Sequence, residues 1–258
     1  MNFLLLESYE IDAAGIAVVR GRRAAHLITI LKVQVDTRLR VGVINGLLGS
    51  ATVQKLAADA VTIHVELHAR PELLRDTLLL AVPRPKVLMR MLAHAAAMGF
   101  ARVVLFRCWR VDKSWAQSRA FDCDVQRQQL LLGLEQAGRT QIPEVLSFDR
   151  FKPMIEDELP QLDLPQPRFV AHPYAATPTY QLSRFGLSSS NSIGVKVRPS
   201  APSAFTLAIG PDGGFLPYEV GKLAEAGFHA VTLGPNALRT ETALAALWAQ
   251  LDLLRRQR

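Results

Sequence analysis

The sequence predicts an α/β protein in which a small β-barrel precedes a parallel sheet with covering helices. Three observations carry this reading. Residues 1 to about 70 are mostly short, β-branched runs separated by turn signals. From Thr77 onward, apolar strand runs alternate with helical runs, the βαβ rhythm of a parallel sheet. Near the C-terminus, two apolar runs each break into a glycine-containing loop that opens a helix, which is where ligands sit in open α/β sheets.

In the first part, Ile16 to Val19, Thr37 to Ile44, Ser50 to Leu56 and Val61 to Leu67 read as strands, with turns at Asn45-Gly46 and Ala58-Asp59. A helical patch, Ala24 to Leu31, interrupts them. The stretch from Pro71 to Leu74 marks a boundary, dividing the chain into residues 1–70 and 71–258. A strand from Thr77 to Ala81, a helix from Lys86 to Met98 and a strand from Arg102 to Phe106 follow, and Gly99 stops the helix at its C′ position. The next loop, Arg107 to Ser114, is basic, with Trp109 and Trp115 interleaved. It can hold RNA by charge and stacking, or it is an ordinary loop with its tryptophans packed inward.

A long helix, Asp124 to Ala137, ends at Gly138. Residues 148–167 are rich in proline and acid and read as an outer helix with connections. Arg168 to Ala171 is a strand. Residues 186–203, rich in Ser, Gly and Pro, read as a mobile surface loop. Phe205 to Ile209 is a buried strand, Pro217 opens a helix ended by Gly227, and Ala230 to Leu233 is the last strand. The final helix starts near Thr240. Its Leu244, Leu247, Trp248, Leu251 and Leu254 recur at three- and four-residue spacing. Core packing covers most of that stripe, and part can face a second subunit.

The first glycine loop reads GPDGG at residues 210–214, and the second runs from Gly234 through LRTET at 238–242. Glycine tolerates positive φ and lets a ligand approach the backbone closely. The spacing is not G-x-G-x-x-G, and no G-K-[ST] follows, so a dinucleotide fingerprint and a phosphate loop are both excluded.

These two loops resemble the RsmE family, the uridine-N3 methyltransferases of small-subunit (16S) ribosomal RNA. The family's I-G-P-E-G-G stands here as IGPDGG at 209–214, and its L-G-x-x-I-L-R-x-E-T-A as LGPNALRTETA at 233–243. Upstream, H-x-x-x-V-L-R is matched by HLITILK at 26–32, with Lys32 for Arg, and E-Q-S-G-R by EQAGR at 135–139. Where the family has K-A-T-E-L-G-V, this chain has AHAAAMGF at 93–100, without the polar Thr and Glu. The family tends to place Ser before Pro217, where Leu216 cannot cap.

The resemblance implies a SPOUT-type, trefoil-knotted parallel sheet preceded by a PUA-like RNA-binding β-barrel. It implies S-adenosylmethionine as cofactor, 16S ribosomal RNA or the small ribosomal subunit as partner, and a homodimer. Three loops would hold the cofactor: Ala171, His172 and Pro173; Ile209, Gly210, Pro211, Gly213 and Gly214; and Leu233, Gly234, Leu238, Arg239, Thr240, Thr242 and Ala243. A different-class alternative is a non-catalytic RNA-binding relative with the same fold.

Methyl transfer needs no nucleophilic side chain and no metal, because the acceptor is the nucleophile. Uridine N3 must lose a proton, and Glu241 and Asp212 are the acids within the cofactor loops. Arg239 can offset charge developing on the uracil oxygens. Arg239 and Glu241 are therefore the candidate catalytic pair, although Glu241 also suits a helix N-terminus for its dipole alone. Arg22, Arg23, Lys32, Arg107, Arg110 and Lys113 are candidate RNA contacts, or parts of solvated faces.

Composition agrees. The 258 residues carry a net charge of +7, which suits a polyanion partner. No apolar run reaches about 18 residues, so no spanning helix is expected, and the apolar start lacks the basic leader of a signal peptide. Cys108 and Cys123 form no C-x-x-C pair and the six histidines are scattered, which points away from zinc and towards a reducing, cytoplasmic setting. Arg255, Arg256 and Arg258 are expected to complement the dipole of the final helix.

Overall fold

A computed structural model describes residues 3–185 and 204–256, so the Ser/Gly/Pro-rich stretch and Arg258 lie outside the described residues. The N-terminal sheet holds β1 (Phe3–Leu6), β2 (Ile16–Arg20), β3 (Arg38–Val43), β4 (Leu48–Leu56) and β5 (Ala60–Ala69), in the order β1-β3-β4-β5-β2. β1 and β3 run parallel and the other neighbours antiparallel. The sheet curls as half a barrel. Along β2, Ala17 and Val19 are buried while Val18 and Arg20 are exposed, the period-2 signature of a strand with one wet face. The helical patch is a turn, α1 (Gly21–Ala25), that widens into a π-helix at His26–Ile30 and places Leu27 in the small core.

β1 shows no alternation because both its faces are covered. Leu4 and Leu6 enter the small core with Val41, Val53 and Ile63, whereas Phe3 and Leu5 enter the larger core of the second sheet.

That second sheet is all parallel: β6 (Thr77–Ala81), β7 (Arg102–Phe106), β8 (Glu144–Phe148), β9 (Arg168–Ala171), β10 (Thr206–Ile209) and β11 (Phe228–Val231). Its order is β11-β9-β10-β6-β7-β8. The helices are α2 (Pro85–Met98), α3 (Cys123–Ala137), the short α4 (Phe151–Pro153) that continues as helical turns to Gln161, α5 (Pro217–Glu225) and α6 (Thr240–Arg256). β8 is an edge strand with no fully buried residue, so it leaves little apolar signal in the sequence. β11 lies two residues earlier than the sequence suggests, and Thr232 and Leu233 belong to the loop.

α2 and α3 pack at very short range. A Cβ at Gly133 would meet the Ala93 carbonyl oxygen at 2.0 Å, so only glycine fits there.

Leu244, Leu247 and Leu251 of α6 are buried in the chain's own large core, and Trp248 and Leu254 are half-buried against it. Arg255 stands in the last turn of α6, where it faces the helix dipole, and is also part of a buried ion pair. Its side chain is 1% exposed, and Nη1 donates to both oxygens of the fully buried Asp76 at 2.9 and 2.8 Å. Its guanidinium lies 5.2 Å from the centre of the Phe205 ring, and Asp252 takes a further contact. Burial pushes the Asp76 carboxyl up from its ordinary value, against the pull of Arg255. The C-terminal helix is thereby tied to the foot of the sheet.

Candidate cofactor and RNA site

β11, β9 and β10 are neighbours running in one direction, so the loops at their C-terminal ends meet. They enclose a cavity of about 830 Å³, within the roughly 300–1,000 Å³ typical of small-molecule sites. The first loop contributes Ala171, His172 and Pro173 to the wall. The second contributes Ile209, Gly210, Pro211, Gly213 and Gly214, and the third Leu233, Leu238, Arg239, Thr240 and Ala243. Gly234 and Thr242 are outside the wall. Gly234 instead shapes the third loop: its N–H donates to Thr232 Oγ1 at 3.2 Å, and that oxygen lies 3.2 Å from Pro173 O on the first loop.

The glycine loop is held from below. Phe215, 4% exposed, stacks parallel on Phe106 with ring centres 6.3 Å apart. A Cβ on Gly210 would come within 3.1 Å of that Phe215 ring. Gly214 has φ +71°, and a Cβ there would meet nothing within 4 Å, so its backbone faces open space. Leu216 does not cap α5. Glu219, three residues on, accepts the Leu216 N–H at 2.7 Å and satisfies that end of the helix from inside.

Four arginines line the cavity: Arg84 just before α2, Arg90 of α2, Arg110 of the loop after β7, and Arg239. The wall also holds two carboxylates, Asp212 and Glu241. Arg90 donates to Glu241 Oε1 from Nε at 2.8 Å and Nη2 at 2.5 Å. Asp212 accepts the Thr240 hydroxyl at 3.1 Å and faces Arg84 at 3.4 Å. Arg110 Nη1 donates to Gly213 O. Arg239 is exposed at the mouth. The sequence reading missed Arg84 and Arg90. The signal was their place just after the β6 strand, which becomes telling only once β6 is known to lie beside β10.

The six candidate RNA contacts separate by environment. Arg22 Nη2 donates to both oxygens of Glu135 at 2.9 Å, and Glu135 is 3% exposed. Arg23 is engaged inside the chain, on Leu5 O at 2.7 Å and on both carboxylate oxygens of Glu10. Its bond to Glu10 pushes the guanidinium pKa further up. Lys32 is exposed with φ 49°. Arg107 donates to Asp149 O at 2.8 Å, Arg110 belongs to the cavity wall, and Lys113 is exposed. Cys108 is buried, and burial pushes its thiol up to about 12, so it is inert at neutral pH. Among the described residues no cluster of potential metal ligands occurs, and no helix is long and apolar enough to cross a membrane.

The model of the RNA methyltransferase domain family matches residues 70–252. The ribosomal RNA small subunit methyltransferase E of Treponema pallidum (strain Nichols) is 27% identical over 255 residues, 96% of this chain and 90% of that protein. Its counterpart in Mycobacterium tuberculosis (strain CDC 1551 / Oshkosh) is 25% identical over 257 residues, 94% of this chain and 88% of that protein. A methyltransferase from Legionella pneumophila, solved in complex with SAM, has the same fold, with TM-score 0.70, 21% identity, and coverage of 98% of this chain and 96% of that one. The small subunit methyltransferase E of Neisseria gonorrhoeae, bound to S-adenosyl methionine, gives TM-score 0.67 at 21% identity over 98% of each chain. The chain belongs to the RNA methyltransferase domain family, of the RsmE type that its two glycine-loop motifs resemble.

Proposed function

We propose that this chain binds S-adenosylmethionine in the three-loop cavity and methylates N3 of a uridine in small-subunit (16S) ribosomal RNA. The observation that carries the reading is a cavity whose glycine backbone lies at the C-terminal ends of three adjacent parallel strands, with Arg239 exposed at its mouth. The walls fit the cofactor. Its adenosine carries no phosphate, and the loops offer backbone N–H and C=O groups rather than a phosphate-binding lysine. Gly214 leaves open space where a side chain would stand. The relatives are named for methylating ribosomal RNA, and the two solved neighbours hold this cofactor.

When bound, adenosylmethionine supplies an electrophilic methyl group. The chain's own residues position the acceptor and handle its proton. Glu241 takes the proton from uridine N3, while Arg90 holds the carboxylate by Oε1. Arg239 offsets the charge that then develops on the uracil oxygens. Asp212 is engaged by Thr240 and Arg84 and keeps the second loop against α6.

The wider reading follows the family. Residues 1–70 act as a PUA-like RNA-binding domain and 71–258 as the catalytic domain, in a cytoplasmic homodimer. A trefoil knot at the cofactor loops is what the family resemblance implies; residues 177 and 179 pair there with Thr232, whose N–H donates to Thr177 O and whose carbonyl accepts from Thr179 N–H, each at 3.0 Å. Nucleoside mass spectrometry of 16S ribosomal RNA from cells with and without the protein tests the reaction. The protein's presence should add 3-methyluridine, and identical RNA in both would leave a non-catalytic RNA-binding relative.

A further inference from the structure

Trp109 is 83% exposed, yet its backbone is firmly held. Its N–H donates to Glu219 Oε1 at 2.8 Å, while Glu219 Oε2 takes the Leu216 N–H at 2.7 Å. Glu219 is 2% exposed. A buried carboxylate is costly unless bonded, and here both oxygens are used to join the loop after β7 to the end of the glycine loop. The next residue adds a second tie, since Arg110 donates to Gly213 O. Positions 109 and 110 are therefore fixed against the cavity rim. Arg110 lines the wall, and Trp109, which does not, is its exposed neighbour in the chain.

The loop that carries the indole is basic in sequence, with Arg107, Arg110 and Lys113 against one acid, Asp112. Arg107 is bonded to Asp149 and Arg110 to Gly213 O, and Lys113 is exposed. Such a density of cations is unlike the charge-depleted centre of a protein interface, and it matches a phosphate backbone. An aromatic plane among cations is the arrangement by which proteins hold single-stranded nucleic acid.

We propose that Trp109 is a stacking platform for the nucleobase next to the target nucleotide, an inference that rests on the RNA-methylating reading above. The target base enters the cavity, its neighbour lies on the indole, and Glu219 is the positioning residue that sets the distance between the two places. Trp109 thus selects for an unpaired flanking nucleotide.

The test is binding of oligouridylate and of a small-subunit ribosomal RNA transcript, followed by fluorescence anisotropy over a range of salt. Trp109→Ala should weaken RNA binding about ten- to hundredfold, the scale of one lost stacking contact. Trp109→Phe should keep most of the affinity. S-adenosylmethionine affinity and the salt slope should stay as in the wild type, because no charge is removed. Glu219→Gln should weaken RNA binding in the Trp109 background and leave it unchanged in the Trp109→Ala background, the coupling expected of a residue acting through another. Unchanged RNA affinity in Trp109→Ala, with wild-type protein that does bind RNA, overturns this inference alone. So does a dimer that dissociates in Trp109→Ala, which would assign the indole to an interface between copies. Wild-type protein that binds neither these RNAs nor whole small subunits overturns the functional reading and this inference with it.

Discussion

Arg90 on α2 and Glu241 on α6, 151 positions apart in the chain, meet in the cavity wall through two hydrogen bonds to the same carboxylate oxygen. Two helices that cover different parts of the sheet are thereby pinned at one point, and the carboxylate proposed as proton acceptor is held in place by a cation. The Arg90 and Glu241 side chains are 55% and 22% exposed, so the pair contributes little to stability and its weight lies in orientation.

Glu241→Gln keeps the shape and removes the charge. The single-turnover rate of methyl transfer should fall on the order of 10²-fold, the lower scale of a lost general base. Raising the pH should recover part of it, because uracil N3 then ionises without help. Arg90→Ala should lower the rate in the same direction by less. A Glu241→Gln enzyme with the wild-type rate across the pH range would reduce Glu241 to a helix N-terminal carboxylate.

Gly214→Val places a branched side chain at φ +71°, where an L-residue is strained by about 1–2 kcal/mol, and directs it into open cavity space. S-adenosylmethionine affinity should drop at least about tenfold by calorimetry while the circular dichroism spectrum is retained. Unchanged affinity would move the cofactor away from the second loop.

Much of this site is legible in the sequence for a physical reason. A backbone that must approach a ligand admits only glycine, so the positions at 210, 213 and 214 stand out as a pattern. Strands β6, β7 and β9 are equally plain, because turn residues bound their apolar runs. β1 is not, since burial on both faces removes the alternation that marks a strand. Contacts between distant residues leave no local trace: Arg255 reads as a dipole partner at a helix end until Asp76, 179 positions earlier, is found beside it. Arg90 is hidden in the same way, because the order β11-β9-β10-β6 that brings α2 to the cavity is a property of the crossovers.

Asp76→Ala leaves the Arg255 guanidinium buried without its main partner. Removing one member of such a pair typically costs about 3–5 kcal/mol. Denaturant unfolding should show a loss of that size, with cofactor affinity unaffected below the transition. A loss within about 0.5 kcal/mol, the scale of a neutral surface change, would mean that Arg255 finds solvent or Asp252 instead.

Glu10 and Arg23 give a pH-dependent counterpart. Burial raises the Glu10 carboxyl pKa, but the Arg23 bond and the Glu7 N–H outweigh it and leave the group below its ordinary 4.5. A lowered folded-state pKa means stability that is present above about 4.5 and lost as pH falls through the folded value. Glu10→Gln should therefore be less stable than the wild type at pH 7, and the gap should narrow on acidification. A gap independent of pH would show that shape rather than charge matters there.

The N-terminal arginines and Lys32 should separate by experiment. Arg23→Ala, which breaks an internal pair, should lower the melting temperature. Lys32→Ala should leave stability alone and flatten the salt dependence of RNA binding by roughly one unit. The opposite assignment of the two effects would reverse the roles given to them.

The central claim is that one cavity binds the methyl donor and aims it at uridine N3, with Arg239 acting on the transition state. The most direct measurement is single-turnover methyl transfer to small subunits from cells lacking this protein, with donor binding measured in parallel. Wild-type protein should place the label in 3-methyluridine. Arg239→Ala should bind the donor equally well and transfer about 10²-fold more slowly, the scale of a removed oxyanion donor. Label in any other nucleoside, or an Arg239→Ala enzyme that transfers at the wild-type rate, would contradict the account.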